Sequence, residues 1–218
     1  MDLKARARKI LRILAKTYPD ARCMLDHRSA WELLVATILA AQCTDRKVNE
    51  VTADLFRKYP SPADLAKAKL PTLEKEIRPT GFFRQKSKSI VNAAKAVVDA
   101  HGGKVPGTME GLVKLPGVGR KTANVVLGEC FNAPGIIVDT HFRRVTGRLG
   151  LTENTDPDKI EADLDALIAK RDRTLFSHAI TFHGRAVCVA RKPKCEECPV
   201  NGLCDYYASL AARDAKGN

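Results

Sequence analysis

No apolar run in this sequence is long enough to span a bilayer, which excludes a helical membrane protein. The basic opening segment, Met1 to Tyr18, lacks the apolar centre and the cleavage site of a secretory signal. Asp2 and the regular spacing of Leu3, Ile10, Leu11 and Leu14 favour a folded amphipathic helix there over a mitochondrial transit segment. The expected location is the cytoplasm. Heptads, low-complexity tracts and internal repeats are absent, and only Ile136-Ile137-Val138 reads as a strand. Acids are in short supply, 25 Asp+Glu against 37 Lys+Arg, so the formal net charge is +12 and the pI is near 9.5. That balance suits a polyanionic partner, although charge alone also serves solubility.

Helix signals occupy most of the rest. Ser29, Ser61 with Pro62, Pro71, Thr108, and Asp156 with Pro157 read as caps or first-turn residues. Leu33, Leu34, Ile38 and Leu39, then Val48, Val51, Leu55 and Phe56, keep three-and-four spacing. The expectation is an all-α protein of about a dozen short helices. With 218 residues, 44% of them hydrophobic, it forms one large or two small domains around a real core. The best seam is the turn Asn132-Ala133-Pro134-Gly135.

The segment from Leu115 to Ala123, LPGVGRKTA, joins a glycine turn to an amine just inside the following helix. Gly117 and Gly119 are free to take positive φ and bring bare amides close to a ligand, while the helix N-terminus behind them attracts anions. The spacing is not that of a nucleotide P-loop, and no βαβ pattern follows, which favours a DNA backbone phosphate over ATP. A plain turn between packed helices would account for the glycines but leaves Lys121 unexplained.

Cys188, Cys195, Cys198 and Cys204 follow the pattern C-x6-C-x2-C-x5-C. Crossed disulfides within so short a segment would be strained, and a cytoplasmic chain keeps its thiols reduced. Zinc and an iron-sulfur cluster both accept four thiolates, but zinc ribbons usually present two Cys-x-x-Cys knuckles and only one occurs here, so the spacing favours a 4Fe-4S cluster. Arg191, Lys192 and Lys194 lie in the loop between the first two cysteines, placed to press on a phosphate or to offset thiolate charge. Cys23, Cys43 and Cys130 read as buried thiols. His27, His101, His178 and His183 have no ligand-like spacing. At this point a DNA-repair enzyme, a non-catalytic DNA-binding protein and an electron carrier all remain open.

With Lys121, Val138-Asp139-Thr140-His141 and the four-cysteine tail in one order, the sequence closely resembles the endonuclease III family of DNA glycosylases over most of its length. The resemblance implies a helix-hairpin-helix fold of two helical domains. Residues 23–134 would be a six-helix domain, residues 1–22 plus 135–218 a cluster domain, with the catalytic cleft between them. Monofunctional relatives that excise mismatched adenine typically lack a lysine at this position. Lys121 therefore implies a bifunctional enzyme that removes oxidised pyrimidines from double-stranded DNA and cuts abasic sites by β-elimination, and sites of this kind work in a monomer.

Family resemblance also assigns roles. Gln42 would enter the space left by the extruded nucleotide, and Phe82 would be the wedge, a place where many relatives have leucine; Phe83 is the alternative. Arg84, Gly117, Gly119, Arg120, His141, Arg191 and Lys192 would contact DNA. Lys121 would attack C1′ and form a Schiff base, for which it must be neutral. Lowering a lysine pKa from about 10.4 to near 7 takes about 4 to 5 kcal/mol of differential stabilisation. Asp139 would support the cationic sugar, unless it is only a helix cap. Val113 stands where some relatives carry Glu.

Overall fold

The structure, a computed structural model, describes residues 1–214, and its regular elements are twelve α-helices and three single 3-10 turns; no strand occurs among the described residues. Two compact units arise, one built from Met1–Cys23 with Pro134–Asn218 and the other from Met24–Ala133.

The discontinuous unit opens with α1 (Leu3–Thr17), started by Asp2, whose carboxylate accepts from the Ala5 N–H at 2.8 Å. Ala7, Ile10 and Leu14 form its buried stripe, Leu11 packs against the core from the side, and Leu3 is exposed.

The contiguous unit holds α2 (Ala30–Leu39), α3 (Asp45–Lys58), α4 (Pro62–Ala66), α5 (Leu70–Ile77), α6 (Phe83–His101), α7 (Met109–Val113) and α8 (Arg120–Cys130), with the 3-10 turn Arg78–Thr80 before α6. That makes seven helices rather than six, two of them only five residues long. Ser29, Thr44, Ser61 and Thr108 cap their helices through the side chain, and Ser61 with Asp64 closes a reciprocal capping box. α2 is buried from Trp31 through Leu39 and serves as the central post, packed on α3, α6 and α8.

The chain then completes the first unit with α9 (Thr140–Arg148), α10 (Pro157–Leu167), α11 (Arg173–Ala186) and α12 (Asp205–Asp214). Ile10, Leu14, Phe142, Val145, Ile160, Leu164, Phe176 and Ile180 form the core of this unit. Phe142 and Phe176 meet edge-to-face at 5.9 Å. The Arg6 guanidinium fastens distant segments: it donates to Asp205 Oδ1 at 2.7 Å and to the Gly150 carbonyl at 2.6 Å. Gly150 has φ +65°, and a β-carbon there would lie 1.7 Å from Asp205 Oδ2.

The run Ile136-Ile137-Val138 forms no strand. Ile136 and Ile137 are buried, and the Ile137 N–H donates to Ser177 Oγ at 2.9 Å. β-branched residues suit extended backbone, but a ladder needs a second extended segment, and a side-chain hydroxyl serves instead. No described helix is long and apolar enough to cross a membrane.

Candidate functional site

The turn between α7 and α8 is set from beneath by Leu112, Leu115 and Val118, all buried, with the Val118 N–H bonded to the Leu115 carbonyl at 3.1 Å. Gly117 takes φ +79°, and a β-carbon on it would fall 2.7 Å from Ser89 Cβ in α6. The two glycines, both free to take positive φ, use that freedom differently. Gly119 is the N-cap of α8 with extended backbone, φ −95°, because a cap residue adopts the β region before the helix turns. Its missing side chain leaves open space. Arg120 and Lys121 are the first two residues of α8 and both are exposed, with no acid in that turn. The result is a partly positive helix end carrying two cations, suited to an anionic backbone, with a primary amine within reach of whatever binds.

Three other exposed residues of this unit adopt left-handed backbone without being glycine: Gln42 at φ 53°, Phe82 at φ 48° and, in the turn after α8, Asn132 at φ 50°. Such conformations cost of order 1–3 kcal/mol each and persist where the surroundings enforce them. Phe82 is 64% exposed and is the N-cap of α6, whereas Phe83 is its first helical residue and half-buried. The rings therefore do not compete for one helix face. Phe83 lies beneath two guanidiniums, Arg84 at 5.2 Å and Arg78 at 5.9 Å from its centroid, which leaves Phe82 as the projecting ring. Arg84 and Val113 are both exposed.

In the other unit Asp139 is the N-cap of α9, with Oδ1 accepting from the Phe142 N–H at 2.6 Å and Oδ2 from Thr181 Oγ1 at 3.4 Å. It is half-buried, so the cap uses one oxygen and leaves the other partly accessible. His141 is half-buried, 3.2 Å from Arg144 Nη2.

Cys188, Cys195, Cys198 and Cys204 line one pocket with Arg148 and His183. Among the described residues no three His, Cys, Asp or Glu are grouped tightly enough to hold a single metal ion. Four thiols around one pocket are the donor set that a 4Fe-4S cluster takes. Burial raises the pKa values of Cys195, Cys198 and Cys204, and the neighbouring thiols push the same way. Ligation must therefore displace protons. Two arginines on α9 hold Cys188 and the loop that follows it. Arg144 Nε donates to the Cys188 carbonyl at 3.0 Å, while Arg148 donates to the carbonyls of Val189 and Ala190 at 2.8 and 3.0 Å and approaches Cys188 Sγ at 3.4 Å. Arg191 and Lys192, the latter at φ 52°, project from that loop into solvent.

Sequence reasoning missed Arg144 and Arg148, whose one-turn spacing after Asp139 was the available signal. It also missed His183, which is 1% exposed and spans Tyr18 OH at 3.0 Å and Cys198 Sγ at 3.4 Å. Burial pushes His183 down to about 4, so it is neutral near pH 7. Nothing in its spacing marked it. Cys23, Cys43 and Cys130, expected to be buried, are half-buried.

Residues 35–170 match the HhH-GPD superfamily of base excision DNA repair proteins, which sets the class. Residues 188–204, the cysteine tail, match the iron-sulfur binding domain of endonuclease III. Endonuclease III of Synechocystis is 52% identical over 202 residues, 92% of both chains; that of Bacillus subtilis is 44% identical over 201 residues, 92% of this chain and 90% of the relative. A solved structure of a trapped covalent intermediate between endonuclease III and DNA superposes with a TM-score of 0.91 at 42% identity, covering 97% of this chain and all of the other. The chain belongs to the endonuclease III family.

Proposed function

We infer that the protein is a bifunctional base-excision-repair enzyme, a DNA glycosylase and abasic-site lyase, acting on duplex DNA that carries oxidised pyrimidines. The observation that carries this is Lys121, an exposed primary amine in the first turn of α8 beside the Gly117 turn. Family membership and the likeness to a covalently trapped DNA complex support it.

The damaged nucleotide is extruded, with Phe82 as wedge and Gln42 filling the gap, at a cost of a few kcal/mol. The turn amides, Arg120, Arg84, His141, Arg191 and Lys192 grip the backbone. Neutral Lys121 Nζ attacks C1′, the base departs with the C1′–N bond electrons, and opening of the sugar ring leaves an imine between Nζ and C1′. Loss of a C2′ proton then expels the 3′ phosphate. Asp139 faces the growing positive charge on the sugar and moves protons. Val113 supplies no acid to this chemistry.

The residue set fits a 4Fe-4S cluster, which Cys188, Cys195, Cys198 and Cys204 would hold; bound, it organises the loop bearing Arg191 and Lys192 and supplies no electrons to either step. Residues 23–134 then act as the hairpin domain and residues 1–22 plus 135–218 as the cluster domain of a monomer working at the nucleoid.

Borohydride added during turnover is expected to fix the protein covalently to an oligonucleotide with one oxidised pyrimidine. Lys121→Gln is expected to give no adduct and no nicking; nicking that survives the substitution would refute the assignment.

A further inference from the structure

Lys86, the fourth residue of α6, is 4% exposed. A cation there opposes the positive end of its own helix and loses hydration, so its presence calls for a reason. No carboxylate among the described residues pairs with it, and burial lowers its pKa, with the Cys43 thiol as the neighbour acting in the opposite sense. Its Nζ instead donates to two main-chain carbonyls, Leu39 at 2.8 Å and Thr80 at 2.7 Å. Each carbonyl closes a helical element: Leu39 ends α2 and Thr80 ends the 3-10 turn, where partial negative charge collects.

Three residues beyond Leu39 stands Gln42, and two beyond Thr80 stands Phe82, both exposed and both left-handed in backbone. Forty residues of chain separate those two loops, yet a single ammonium ties the root of each.

We propose that Lys86 is a positioning residue that locks the Gln42 and Phe82 loops at a fixed separation, so that gap-filling and wedging of the duplex occur as one event. This rests on the reading of those two side chains as the DNA-inserting pair. Without Lys86 each loop would still fold on its own helix, but their spacing would no longer be shared.

The test uses the full chain with its cluster, bound to a duplex carrying a tetrahydrofuran abasic analogue and to the same duplex undamaged. Gln42→Ala, Phe82→Ala and the double variant are measured in the native and in the Lys86→Met background. The expected native result is a coupling of about fivefold or more between the two truncations. Lys86→Met should lower lesion affinity about tenfold, leave affinity for undamaged duplex unchanged and abolish the coupling. If coupling persists in Lys86→Met and only the melting temperature moves, Lys86 is a packing residue and the proposal is overturned. If neither truncation alters lesion affinity in the native background, the assignment of the two loops fails first, a distinguishable outcome. Should Lys86→Met not fold, Lys86→Gln, which keeps a neutral donor, carries the same cycle.

Discussion

Gly117 is asked for two things that no other residue supplies together: backbone at φ +79° and a surface flat enough to lie on Ser89. Gly117→Ala is therefore expected to lower stability by about 2 kcal/mol, read as a drop in melting temperature, from positive-φ strain added to overlap with Ser89. Ser89→Gly should restore only the overlap part. Asp139 separates differently. Asn caps as well as Asp, so Asp139→Asn should leave the melting temperature nearly unchanged while cutting turnover by about 100-fold through loss of negative charge. Asp139→Ala should lose both, with about 1 kcal/mol of stability gone as well. Equal turnover in Asp139→Asn and the parent enzyme would leave the residue as a cap alone. At this scale the sequence disclosed the turn at Gly117, the helix start just before Lys121 and the cap at Asp139, because each obeys a local rule. It did not set Gly119 apart, since two glycines in one turn look alike until one is known to be the cap.

α9 shows how one short element serves several ends. Asp139 starts it, His141 follows, Arg144 at its middle holds the Cys188 carbonyl, and Arg148 at its far end holds the loop after Cys188. Helices were legible throughout because caps and apolar spacing are written within a few residues of one another. The failures required knowledge of what packs where: Ile136-Ile137-Val138 found a serine hydroxyl instead of a strand, and His183 found a tyrosine and a cysteine from distant parts of the chain. The join of α9 to α10 carries a pH dependence. Asp163 accepts from Thr152 Oγ1 and from Asn154 Nδ2 at 2.7 Å, and these bonds, Thr152 first, hold its carboxyl below the usual range. Since the folded pKa is depressed, the stabilisation is complete above the unfolded value of about 3.9 and is lost as pH falls through the folded one. Asp163→Asn should thus lower the melting temperature at pH 6, and the gap from the parent should close towards pH 2 to 3.

Across the whole chain, the +12 charge predicts binding to undamaged duplex that weakens steeply with salt, by about 100-fold or more between 50 and 200 mM for four or more phosphate contacts. A flat response would remove the backbone from the interface. Cys188, Cys198 and Cys204 also pack against the core of the discontinuous unit. Removal of iron by a chelator should therefore raise hydrogen exchange in α9, α11 and α12 while α2 to α8 stay protected, read peptide by peptide in a mass spectrometer. The Arg6 clamp reaches 144 residues forward to Gly150 and 199 to Asp205. On the ribosome the contiguous unit can close as soon as α8 has emerged, whereas the Arg6 clamp must wait for Asp205 to be synthesised. The residues of the hairpin thus leave the ribosome before any of the four cysteines, and iron can be received only after them.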